Sequence, residues 1–115
     1  MYLMNNVNII FVDIDETICH YGNIKQKHAI KGSIDYSTAQ PYKDRIKKIN
    51  KLYDEGKTIV YWTARGSRTG INWFQLTLKQ LNDWGCKFTE LRLGKPHYNL
   101  FIDDKNINSE TFFKN

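Results

Sequence analysis

Apolar residues in this chain come in short blocks cut off by polar turns. Val7 to Val12 is the first block, broken only by Asn8, and it ends abruptly at Asp13-Ile14-Asp15-Glu16-Thr17. A short, nearly continuous apolar run of this kind reads as a buried strand. Residues Cys19 to Pro41 follow. They are mostly polar, contain Gly22 and Gly32, and show no helical period. They read as an irregular or hairpin-like flap. Pro41 suits the first turn of a helix. Ile46, Ile49 and Tyr53, with Leu52 beside them, then recur at helical spacing. Lys43, Lys47, Lys48 and Lys51 fall on the wet side, and Gly56 suits the position just past the helix end. Thr58-Ile59-Val60-Tyr61-Trp62 predicts a second strand running into Thr63-Ala64-Arg65-Gly66. A second helix is expected from Ser67 or Thr69, with Ile71, Phe74, Leu78 and Leu81 on one stripe and closure at Gly85. Phe88 to Leu93 predicts a third strand, and Tyr98 to Ile102 a last one ending in Asp103-Asp104. The remaining residues read as a short terminal helix or turn.

The order β, flap, α, β, α, β, β predicts an α/β fold with a mainly parallel sheet. At 115 residues the chain is read as one domain, 1–115, with 19–41 as the flap. Apolar residues at 41% and aromatics at 14% are enough for a packed core and exclude a disordered chain. No apolar stretch is long enough to cross a bilayer, and Met1 to Asn6 lacks a signal-peptide pattern. The expectation is a soluble, cytoplasmic protein with no membrane partner. The formal charge of +5 would attract polyanions, but the basic residues are scattered. Nucleic acid is therefore the lesser of the expected partners. Cys19 and Cys86 belong to no metal-spacing motif and are expected to be reduced and structural.

The candidate chemistry lies at the strand ends. In a parallel sheet the C-terminal ends of the strands share one edge, where ligands bind. The first strand ends in Asp13 and Asp15. The second ends in Thr63, with Arg65 close behind. The last ends in Asp103 and Asp104, with Lys95 in the loop before it. Paired carboxylates repel unless a proton or a cation lies between them. Together these groups supply carboxylates for a metal, a hydroxyl donor, and two cations for anionic oxygens, the inventory of phosphoryl chemistry. Each residue also has a plainer reading: a cap or strand terminator for Thr63, a turn lysine for Lys95, a surface salt bridge for Arg65, a solvated strand end for Asp103-Asp104. The plain readings need four coincidences at once. His97 reads as a packing or surface residue, His20 and His28 lie in the flap, and Trp62, Trp73 and Trp84 read as core or interface aromatics.

At these residues the chain resembles the haloacid dehalogenase (HAD) superfamily. Asp13-Ile14-Asp15-Glu16-Thr17 matches its DxDxT motif, Thr63 its second motif, Lys95 its third and Asp103-Asp104 its acidic fourth, in the family's order. The stretches Tyr61 to Gly66 and Gly94 to Asp104 look like those of small members associated with bacterial surface-polysaccharide and sugar-phosphate metabolism. The resemblance implies a Rossmann-like three-layer sandwich, here a minimal core with a short flap and no cap domain. It implies a Mg²⁺-dependent phosphomonoester hydrolase acting through an aspartyl phosphate, on a sugar phosphate or similar small metabolite. Asp13 would be the nucleophile and Asp15 the general acid and base. Mg²⁺ would be held by Asp13, the Asp15 carbonyl, Asp103 and Asp104. Thr63, Lys95 and Arg65 would bind phosphoryl oxygens, and Thr17 would support the loop. A capless site is open, so an oligomer partner could supply a lid. Two alternatives stand beside this one: a nucleic-acid end phosphatase, and a non-catalytic phosphoacceptor or binding domain.

Overall fold

A computed structural model describes residues 4–22 and 34–114. The inner part of the flap, His28 with it, lies outside the described residues. The chain runs β1 (Ile9–Val12), β2 (Cys19–His20), a 3₁₀ turn (Tyr36–Thr38), β3 (Gln40–Pro41), α1 (Lys43–Asp54), β4 (Thr58–Trp62), α2 (Phe74–Asp83), β5 (Glu90–Arg92) and α3 (Ser109–Phe112). The main sheet is parallel, in the order β1-β4-β5. Ile9 pairs with Thr58 and Val12 with Tyr61, while Val60 pairs with Glu90 and Trp62 with Arg92. A parallel pair needs a crossover connection, which α1 and α2 provide. The flap ends meet as a two-stranded antiparallel ribbon, Cys19 opposite Pro41. Among the described residues no helix is long and apolar enough to cross a membrane.

The core sits where the sheet meets the helices. Ile59, Val60 and Tyr61 are all buried, so central β4 is covered on both faces. Ile46, Ile49 and Leu52 of α1 pack into the same cluster as Val12, Ile14 and Ile18. Tyr53 instead turns outward: on this helix Leu52 occupies the buried stripe. Gly56 ends α1 at φ 95, where a left-handed residue reverses the chain.

Two expected elements differ. The second helix starts at Phe74, not at Ser67 or Thr69, and Ile71 stays outside it, exposed. The cause is local. Gly66 and Gly70 both take positive φ, which no continuing right-handed helix can hold. The buried stripe of α2 is Thr77, Gln80 and Leu81, not the expected Phe74, Leu78 and Leu81. The second difference is the last strand. Tyr98 to Ile102 pairs with nothing in the sheet, and Leu100 and Ile102 are 75% and 88% exposed. An apolar run does not make a strand without a neighbour at about 4.8 Å spacing. Here a cleft of about 1040 Å³ separates β1 from this segment.

Candidate functional site

The turn after β1 sets the site. The amides of Thr17 and Ile18 both donate to the Ile14 carbonyl, at 3.1 and 2.9 Å, and Glu16 takes a left-handed φ of 61. A non-glycine residue there costs energy and is held only by its surroundings. Here the Glu16 amide donates to the Cys19 carbonyl at 2.9 Å. Arg45 of α1 ties the turn down from outside. It donates to the Thr17 carbonyl at 3.0 Å and pairs with Glu110 of α3. The tight turn separates Asp13 and Asp15 into different surroundings.

Asp13 faces the cleft. The Lys95 ammonium stands 3.6 Å from its Oδ1, and Thr17 Oγ1 donates to its Oδ2 at a long 3.5 Å. Burial raises the Asp13 pKa above the usual aspartate value, and the neighbouring Asp15 charge pushes the same way. Lys95 and the Ile14 amide oppose this without cancelling it. Lys95 is placed by its own backbone. Its amide donates to the Thr63 carbonyl at 3.1 Å, and its carbonyl accepts from Ser67 Oγ at 2.6 Å.

Asp15 also borders the cleft, but its carboxylate is held in a polar network of its own. Arg65 donates to it twice, Nε to Oδ2 at 3.0 Å and Nη2 to Oδ1 at 2.9 Å. The Tyr21 hydroxyl donates to Oδ1 at 2.5 Å, and the Cys19 thiol approaches the same oxygen at 3.4 Å. The remaining Arg65 donors reach Thr77 Oγ1 at 3.1 Å and Gln80 Oε1 at 2.6 Å, while the Tyr36 ring lies 4.7 Å beneath the guanidinium. Burial by itself would lower the Arg65 pKa, but the Asp15 hydrogen bonds and charge raise it above the ordinary arginine value. A paired, fully donated guanidinium is the form in which arginine tolerates burial.

Arg65 therefore departs from the expectation of a phosphate ligand. Its side chain has no exposed surface, and its donors are taken by Asp15, Thr77 and Gln80. Thr63 departs too. It is 1% exposed, and its hydroxyl accepts from the Arg65 amide at 3.1 Å, the work of a turn-capping residue. Asp103 and Asp104 do not converge with Asp13 and Asp15. They are exposed because the last strand does not dock, although Asp103 lines the far wall of the cleft. Asp104 pairs with Lys105 at 3.0 Å. Among the described residues no three Asp, Glu, His or Cys side chains group as metal ligands. Asp13, Asp15 and Asp103 nevertheless line one cleft, and carboxylate oxygens are the donors a hard cation takes. With Asp15 bonded to Arg65 and Tyr21, Asp13 is the carboxylate that pairs with Lys95 among the described residues.

The residues that sequence reasoning missed are Tyr21, Thr77 and Gln80. The last two were visible as polar positions three apart on the inner stripe of α2; Tyr21 carried no signal. Burial keeps both thiols protonated: Cys86 is pushed up to about 12, and Cys19 further still. His97 is exposed, and His20 packs at 4.5 Å on the Tyr42 ring.

No protein-family model matches the chain, and no curated protein matches it. The fold is shared with a crystal structure of a structural-genomics target from Vibrio cholerae. The TM-score is 0.74 over 93% of this chain and 88% of that one, at 24% identity. The likeness establishes the α/β architecture.

Proposed function

We propose that this chain is a phosphomonoester hydrolase in which Asp13 is the nucleophile. The observation that carries the reading is the Asp13 carboxylate facing the Lys95 ammonium at 3.6 Å on the wall of an open cleft. A cation beside a carboxylate nucleophile draws in the phosphoryl group and offsets the repulsion between two anions. An Asp13 oxygen attacks phosphorus, and the bond from phosphorus to the ester oxygen breaks. The departing oxygen takes its proton from solvent in the open cleft, and the water that then attacks the phosphoaspartate returns one to solvent, while Asp15, held by Arg65 and Tyr21, steadies the turn that carries Asp13. Released phosphate and free Asp13 complete the cycle. Lys95 binds the phosphoryl oxygens. Arg65 and Thr63 serve as the support of Asp15 and of the loop.

The minimal, capless HAD core is part of the same proposal. So is Mg²⁺, which lowers the barrier between two anions when bound. Of the expected metal ligands, Asp13, Asp15 and Asp103 line its cleft. The substrate proposed is a small phosphorylated metabolite such as a sugar phosphate, because Lys95 is the basic group beside Asp13 and the cleft's other described lysine, Lys105, pairs with Asp104. The test is phosphate release from a broad panel of phosphomonoesters, with and without Mg²⁺, by wild type and Asp13→Asn. Turnover that vanishes with Asp13→Asn is expected. Undiminished turnover in that variant would sink the reading, and a stable phosphoryl group on Asp13 would favour a phosphoacceptor domain.

A further inference from the structure

The residues beside Lys95 are aromatic, and hydrolysis does not need them. Trp62 closes β4 and is only half-buried. Its ring meets Phe11 edge-on at 5.7 Å and 85°. Tyr98, across the cleft opening, meets Phe101 at 5.2 Å and 59°. Among the described residues neither ring is stacked face-to-face on its neighbour. The Lys95 ammonium lies 5.8 Å from the Trp62 centroid and 5.4 Å from the Tyr98 centroid. The same ammonium is 3.6 Å from Asp13. A phosphoryl group held at Lys95 thus has two aromatic rings within one sugar-ring width, in one cleft.

Tyr98 is 42% exposed, so it does not serve the core. Large rings left facing water beside a polar site mark a binding surface. Aromatic faces attract flat rings and the C–H faces of sugars, and do little for a short flexible chain.

We propose that Trp62 and Tyr98 are specificity-determining residues, a platform that selects phosphomonoesters in which the phosphate is carried on a ring. The phosphate end of this inference rests on the Asp13–Lys95 reading above; the ring end rests on the aromatic geometry alone. A pyranose and a nucleobase share the stacking chemistry.

The test is calorimetric binding of three hydrolysis-resistant phosphonates: a pyranose derivative, a nucleoside derivative and an acyclic glycerol derivative. Binding does not require turnover, so it judges the platform separately from the hydrolase reading. For wild type, at least one cyclic compound is expected to bind about tenfold more tightly than the acyclic one, the scale of a good aromatic contact. The arm that gains identifies sugar or base. Trp62→Leu and Tyr98→Ala should pull that ratio towards one, and Trp62→Phe should keep most of it. Tyr98 lies on the surface, so Tyr98→Ala keeps the test sound if Trp62→Leu fails to fold. Equal affinities in wild type, a ratio unmoved in the variants, or no binding of any compound would overturn the platform. If Asp13→Asn retains turnover while the ratio still collapses in Tyr98→Ala, the hydrolase reading falls and the platform stands.

Discussion

Replacing Arg65 by Leu should cost about 3–5 kcal/mol, the usual loss when one partner of a buried ion pair is removed. The side chain has no exposed surface, and Asp15 is 22% exposed. The substitution removes two charge-assisted bonds to Asp15 and leaves Thr77 Oγ1 and Gln80 Oε1 without their donor. Leu fills most of the volume, so the loss comes from orphaned polar groups rather than from a cavity. Against a total stability of about 5–15 kcal/mol this is a large fraction. With a urea slope of about 1–3 kcal/mol/M, the unfolding midpoint should fall by about 2 M. Arg65→Lys should recover only part, because a point charge cannot make the two-pronged contact. Asp15→Asn in the Arg65→Leu background should cost less than in wild type, with a coupling of at least about 1 kcal/mol. A midpoint shift under about 0.5 M, or strict additivity in that cycle, would refute the claim that Arg65 anchors Asp15.

Gly66→Ala should be among the most damaging single methyl additions, at about 2 kcal/mol or more: φ is +83, and the new Cβ would lie 2.1 Å from the backbone oxygen of Ile71. Urea denaturation checks this, and a loss under about 0.5 kcal/mol would contradict the turn described here. If Asp13 must be ionised to attack, activity falls as the pH drops through its pKa. Because burial raises that pKa, the acid limb of kcat/KM should sit above the ordinary aspartate value of about 3.9. Lys95 lowers it, so Lys95→Met should move the limb to still higher pH, whatever it does to the rate; a limb that moves down would break the assignment.

Much of the architecture was legible because its signals are local. The strand at β4 and the helix at α1 follow from runs and spacings read within a dozen residues, and Gly56 does at the helix end what its position suggested. The start of α2 is not legible in the run itself, because Ile71 fits the helical stripe while two left-handed glycines upstream delay the helix. The placement of Asp13 and Lys95 in one cleft follows from parallel strands sharing an edge. Arg65 could not be assigned from its neighbours, since its partners lie at positions 15, 77 and 80.

The sequence by itself determined the alternation of β1, α1, β4, α2 and β5 and the acidic turn after β1, because periodicity and turn chemistry act over a few residues. Only the tertiary structure decided which way each polar side chain faces. Asp13 and Asp15 are two apart, yet one meets Lys95 in the cleft and the other meets buried Arg65. The same holds for Tyr98 to Ile102, whose apolar run becomes a strand only if a partner edge lies within hydrogen-bonding distance, a condition written nowhere in the run itself.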